Sequence, residues 1–212
     1  MKYKLAVISF GLSLLAIALP LSAADRVSST ERMSFAPGGT IHLNDSYGYL
    51  TVEGWDQPEV EITVIKSTDD KQRLTGLRVV AEKRSESELV ISTPRKGRRG
   101  VNVEYLIHAP REAKLVIHHD GVYVLVSNMS GEIEATNRKG DIVLMLPNSS
   151  SYSIDAKSKM GTVASDFAGK AHVRYFIGER FAGADANSTH RIFLRVGFGG
   201  ITIKEVPPEA LP

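Results

Sequence analysis

The chain has 212 residues, 42% of them hydrophobic and 24% charged, with 26 Lys+Arg, 24 Asp+Glu, no Cys and one Trp. This is the usage of one ordinary globular domain, and it excludes a disordered, collagen-like or multi-span membrane chain. Without Cys there is no disulfide, thiolate metal site or lipid-modified N-terminal cysteine, so stability rests on packing and hydrogen bonds.

Residues 1 to 24 begin with Lys2 and Lys4, run through an apolar stretch from Leu5 to Leu19, and end in Ser22-Ala23-Ala24 before Asp25. A basic start, a short apolar stretch and small residues at the cleavage position predict a secretory signal peptide cut near Ala24. The apolar stretch falls short of the roughly 20 residues that span a bilayer, so no transmembrane span is expected. The expected address is extracytoplasmic, in a periplasm or at the cell surface. Removing Lys2 and Lys4 leaves 24 basic against 24 acidic groups. A balanced chain has no global attraction to nucleic acid or to an anionic membrane, and neither is a default partner.

From residue 40 onward the dominant period is two. Val60-Glu61-Ile62-Thr63-Val64, Val101-Asn102-Val103-Glu104-Tyr105 and Ile201-Thr202-Ile203 alternate β-branched or aromatic residues with polar ones between Gly, Asn, Asp, Ser or Pro. Such runs predict an all-β domain over 25–206. A Gly-initiated unit recurs at Gly48, Gly131, Gly140, Gly161 and Gly200, with a slipped copy at Gly121. Spacings near multiples of ten suggest two short strands per coil, the pattern of a β-solenoid or β-roll with Ala135, Ala156 and Ala164 in a narrow interior. The alternative is an antiparallel β-sandwich in which Gly simply starts strands after hairpins. Residues 66–74 and 94–100 are charged and poor in apolar residues, and read as exposed loops. The ending 207–212, rich in Pro, reads as a tail that cannot continue a ladder.

Several segments, taken in order, carry a resemblance: Val103 to Pro110, Lys114-Leu115-Val116-Ile117, Gly131-Glu132-Ile133, Gly140-Asp141-Ile142, Gly161-Thr162-Val163 and the closing Gly199-Gly200-Ile201-Thr202-Ile203. Over about residues 35–205 the chain resembles the bacterial putative-adhesin family of secreted domains of unknown function. The resemblance implies a β-solenoid or roll in the cell envelope. It implies no catalytic residue.

Chemistry-bearing clusters are few. His118-His119-Asp120 has the residue types of a metal or acid-base site, but neighbours on a strand face opposite ways, so the expectation is a strand end with solvated histidines. His42, His108, His172 and His190 stand singly. Glu132, Glu134, Asp141, Asp155 and Asp166 are the outward carboxylates a carbohydrate-active enzyme would need, without an aromatic platform or long loops to form a cleft. The one charge anomaly is Arg95-Lys96-Gly97-Arg98-Arg99. Arg95, Lys96, Arg98 and Arg99 are candidate ligands for an anionic glycan, a lipid head group or a similar polymer. The sequons at Asn44, Asn128, Asn148 and Asn187 read as turns. The reading is therefore a non-enzymatic, adhesin-like binding or scaffold module without cofactor or metal. Its partner would be an envelope glycan, lipid or protein. The alternatives are a carbohydrate-active enzyme and a periplasmic accessory of envelope assembly or signalling.

Overall fold

The computed structural model describes residues 24–94, 96, 98–147, 152–174, 177–184, 188 and 190–207. The expected leader apart from Ala24, and the tail from residue 208, lie outside the described residues. Along the chain run β1 (Asp25–Ser34), β2 (Thr40–Ser46), β3 (Tyr49–Trp55), β4 (Glu59–Thr68), a 3-10 helix (Lys71–Gly76), β5 (Val80–Ser85), β6 (Glu88–Ser92), β7 (Asn102–Pro110), β8 (Lys114–His119) and β9 (Tyr123–Ser127). They continue with β10 (Ile133–Lys139), β11 (Asp141–Pro147), β12 (Tyr152–Met160), β13 (Val163–Ser165), β14 (Lys170–Arg174), β15 (Gly178–Ala184), β16 (His190–Phe198) and β17 (Ile201–Val206).

The strands form two mixed sheets. The first has the order β1-β4-β7-β3-β9-β11-β17-β13 and the second β14-β15-β12-β16-β10-β8-β2-β6-β5. Their centres match strand for strand. In the same spatial order, β6–β7, β2–β3, β8–β9, β10–β11, β16–β17 and β12–β13 each place one strand in the second sheet and the next in the first, parallel to their neighbours. Each such pair is called a rung below. Antiparallel pairing is confined to the margins, where β1 and β4 extend the first sheet and β5 and the β14–β15 hairpin extend the second.

Alternation places Ile41, Leu43, Leu115, Ile117, Ile133, Ile192 and Leu194 of the second sheet against Leu50, Val52, Val124, Val126, Ile142, Leu144, Ile201 and Ile203 of the first, all but inaccessible to solvent. Each such side chain stabilises the fold by about 1.5–3 kcal/mol when fully buried. Ala135 and Ala156 line this interior as expected, but Ala164 faces solvent.

The all-β expectation holds, and the two facing layers fit the sandwich-like alternative, with parallel rather than antiparallel centres. The coil interval appears locally, since Ile133 pairs with Leu115 and Ile142 with Val124, eighteen residues back in each case. Regular winding in chain order does not extend to the whole. The β2–β3 rung sits between β6–β7 and β8–β9, and β16–β17 sits between β10–β11 and β12–β13. Gly131 also lies at the other crossing from Gly48, Gly140, Gly161 and Gly200, starting a strand of the second sheet rather than the first.

Residues 66–74 depart from an exposed loop. β4 runs to Thr68, and a 3-10 helix capped by the Asp70 side chain on the Gln72 N–H buries Leu74. Lys66 Nζ reaches its end through the Leu74 and Leu77 carbonyls.

Candidate anion-binding edge

Every rung crosses from the second sheet to the first along one edge of the molecule. In spatial order these crossings are the connection from β6 to β7, Tyr47-Gly48, Asp120 to Val122, Gly140, Gly199-Gly200 and Gly161-Thr162. The turns are bonded to one another. Val122 N–H donates to the Gly48 carbonyl, Asp141 to Val122, Gly140 to Phe198, Gly199 to Met160 and Gly161 to Ile177. Gly140 and Gly199 make this stacking possible. Both have left-handed φ (97° and 136°), and a Cβ on Gly140 would lie 1.9 Å from the Val122 carbonyl oxygen.

Two concavities open on this edge. One, of about 490 Å³, is lined by Tyr47, Arg98, Asp120, Gly121, Val122, Arg138, Lys139 and Gly140. The other, of about 410 Å³, lies over Gly197 between β10 and β12, with Arg138, Lys157, Lys159 and Arg195 among its walls. Arg98 is positioned by its own loop and by Tyr47. Its guanidinium donates to the Thr93 and Pro94 carbonyls and lies 4.6 Å from the centre of the Tyr47 ring. Arg138 grips Asp120 through both carboxylate oxygens, at 2.6 and 2.9 Å, which neutralises the acid in the first concavity. Lys139, Lys157 and Lys159 have no carboxylate within ion-pair distance among the described residues. Asn137 adds a buried Nδ2 donor without a partner beside the second concavity.

Of the expected ligands, Arg98 is brought together with Arg138 and Lys139, Lys96 and Arg99 stand exposed on the same loop, and Arg95 lies outside the described residues. Sequence reasoning missed Arg138, Lys139, Lys157, Lys159 and Arg195. They are scattered along the chain, and only the cross-strand register gathers them.

The other expectations resolve as follows. His118 is solvent-exposed, but His119 is buried, which corrects the expectation of two solvated rings. Because the Gly48 carbonyl can only accept, His119 Nε2–H donates to it at 3.1 Å, which leaves Nδ1 to accept from the Ser46 hydroxyl at 2.9 Å. Burial pushes the His119 pKa down to about 4, so the ring is neutral and closes the core beneath the edge. Ser46 is 1% exposed, so this pair offers no nucleophile to a substrate. His108 does not stand singly. Its ring lies 3.5 Å from Glu53 and 3.3 Å from Glu61 and stacks on Trp55 with centroids 5.2 Å apart. Strand register assembles that cluster across the outer face of the first sheet. Asn128 is a turn residue, with φ 57° and its Nδ2 donating to the Gly54 carbonyl, whereas Asn44 belongs to β2.

Four of the five outward carboxylates are engaged, and Glu134 lines a small concavity together with Glu132, Lys114 and Arg191. The Lys114 ammonium, 2.8 Å from Glu132, holds that carboxyl below its ordinary range. Burial alone would raise Asp155, but hydrogen bonds from Arg195 and Arg180 outweigh it and hold the group low. Asp141 and Asp166 accept the backbone N–H groups of Gly200 and Glu205. Asp141 also starts β11, so the length of β10 separates it from Glu134 by roughly 20 Å, too far for the paired carboxylates of glycoside hydrolysis. A general acid needs a raised pKa, the reverse of Glu132 and Asp155.

No helix among the described residues is long and apolar enough to cross a membrane. No family model and no curated protein matches the sequence. Among solved structures, the chain is similar to a "putative cell adhesion protein" from Clostridium sporogenes ATCC 15579. The two are 18% identical, with 85% of this chain and 100% of that one covered and a TM-score of 0.48. It is also similar to a "putative adhesin" from Parabacteroides merdae ATCC 43184, 11% identical, covering 84% and 78% with a TM-score of 0.26. A "putative lipid binding protein" from Parabacteroides distasonis ATCC 8503 is likewise 11% identical, covering 84% and 95% with a TM-score of 0.24. Likeness at this level carries neither ligand nor activity to the chain.

Proposed function

We propose that the protein is a non-enzymatic, extracytoplasmic binding module of the cell envelope, exported by removal of residues 1–24, in which the solenoid-like stack of rungs serves as a rigid scaffold. Its ligand is anionic and is held on the edge where the rungs cross from the second sheet to the first. The observation that carries the reading is the meeting of Arg98 with Arg138 and Lys139 around one concavity, with Lys96 and Arg99 exposed close by in the chain. Closely spaced guanidinium and ammonium groups hold phosphate, sulfate or carboxylate through charge-assisted hydrogen bonds, and this attraction is screened by salt. Glu132 and Asp155, two of the carboxylates the enzyme alternative would use, are held below their ordinary range, the reverse of a general acid.

The test is retention of the exported protein on envelope polysaccharide and lipid fractions across a salt series, with assay of new reducing ends. Retention at low salt, released as salt rises and weakened by Lys139→Glu with Arg99→Glu, is expected. Product formation would overturn the non-enzymatic reading, and retention indifferent to both salt and charge reversal would overturn the anionic ligand.

A further inference from the structure

The same edge presents more than cations. In spatial order its turns expose Tyr49 (52%), Val122 (55%), Phe198 (52%), Met160 (45%) and Ile177 (58%), and the β10–β11 rung contributes Lys139 in their midst. Phe198 pairs in register with Lys139 on one side and Met160 on the other. The turn-to-turn hydrogen bonds fix the order Gly48, Val122, Gly140, Gly199, Gly161, Ile177. These are most of the large apolar side chains that stand exposed among the described residues, and they are drawn up in one file rather than scattered. From the Tyr49 turn to the Met160 turn is four rung spacings, roughly 19 Å at the usual inter-strand distance. Arg98, Arg138, Lys139, Lys157 and Lys159 flank the file, and the acids beside it are engaged: Asp120 by Arg138, Asp141 by the Gly200 N–H, Glu179 by the Val163 N–H and Glu104, in register with Tyr49, by Arg26.

We infer that this edge docks on an anionic lipid bilayer, with Phe198, Met160, Ile177 and Val122 entering the acyl boundary while Lys139, Lys159 and Arg138 meet the headgroup phosphates. The inference rests on the anionic-ligand reading and names its ligand class. The arrangement separates a bilayer from a glycan. Sugars are held on aromatic faces and by polar fans, whereas most of this file is aliphatic and gains by leaving water only against hydrocarbon. Apolar insertion combined with a few nearby cations is the pairing that gives reversible membrane binding.

The test is co-sedimentation of the exported protein with vesicles of phosphatidylethanolamine containing phosphatidylglycerol, and with phosphatidylcholine vesicles, alongside binding to soluble polyphosphate. Sedimentation with the anionic vesicles alone is expected, with about tenfold weaker partitioning for Phe198→Ser/Met160→Ser and a comparable loss for Lys139→Glu/Lys159→Glu. Polyphosphate binding should fall only in the charge variant. Because the chain has no Cys, an environment-sensitive dye can be placed at Phe198→Cys or, as control, at Asp56→Cys at the opposite edge. A blue shift on vesicles at 198 and none at 56 is expected. Undiminished vesicle binding by the serine variant, or polyphosphate binding without vesicle binding, would overturn the bilayer while leaving the anionic-ligand reading intact. Loss of neither binding in the charge variant would overturn that reading itself. Unchanged unfolding midpoints confirm that the variants fold.

Discussion

The molecule has two edges at which the chain passes between its sheets, and they are built to opposite ends. At the edge running through Trp55-Asp56, Pro110 to Ala113 and Asn128 to Gly131, the crossings are plugged. Met129, Ala113 and Asn128 are buried, and the Asn128 amide bonds the Gly54 carbonyl. At the other edge five of the six crossings are short turns containing glycine and in backbone contact, and large apolar side chains are left in solvent. One edge spends its apolar residues on the core, and the other places them where the core has already ended. Strand alternation in β16 buries Ile192, Leu194 and Val196, so Phe198 has the same phase but stands beyond the last core layer. The same holds for Met160 after Ile154, Ala156 and Ser158.

The largest expected effect tests whether the glycine edge is as fixed as its contacts suggest. Gly140→Val would strain a left-handed residue and drive a Cβ into the Val122 carbonyl, costing about 4 kcal/mol. Denaturant unfolding reads the loss directly, and a variant as stable as the parent would show that the turns can shift apart. At the plugged edge, Met129→Ala removes a wholly buried side chain and should cost about 3 kcal/mol, seen as a lower midpoint with unchanged slope. A loss below 1 kcal/mol, roughly the scale of an exposed substitution, would mean that this edge is no better packed than the other.

His119 sharpens the comparison through pH. Its native pKa of about 4 lies below the ordinary value of 6.5, so the unfolded chain binds the proton more readily. The contribution is therefore full above the unfolded value and is lost as pH falls from there toward 4. Between pH 7 and about pH 5 the loss should be about 2 kcal/mol. It should be largely absent in His119→Gln, compared by unfolding at both pH values. An equal loss in the variant would place the acid sensitivity elsewhere than at the buried imidazole.

What was legible in the sequence follows from the range of each signal. Period-two alternation and turn residues are local, and they gave the all-β class, the inward set from Ile41 to Ile203 and the strand starts at Gly48, Gly140, Gly161 and Gly200. The order of the rungs depends on which strand reaches an open edge of the growing sheets. Nothing in residues 40–55 marks them for a place between β6–β7 and β8–β9. The candidate site shows the same limit. The run Arg95 to Arg99 was visible because it is contiguous. Arg138, Lys159 and Arg195 are each an ordinary outward cation until β10, β12 and β16 are laid side by side. His119 was misread because a strand-end histidine is usually solvated, and its partners Ser46 and the Gly48 carbonyl are over 70 residues away.

The smallest expected effect separates a surface shaped for folding from one shaped for binding. If Phe198 served the fold, its removal would cost what Met129 costs. It is half in water and beyond the core, so Phe198→Ser should change unfolding free energy by about 0.5 kcal/mol or less in either direction. A slight gain would be informative, because an exposed phenyl group persists against that gain only where something other than folding uses it. A loss above 2 kcal/mol, on the scale roughly expected of a buried aromatic, would place the ring inside the packing of the turns, and the two edges would then differ in degree alone.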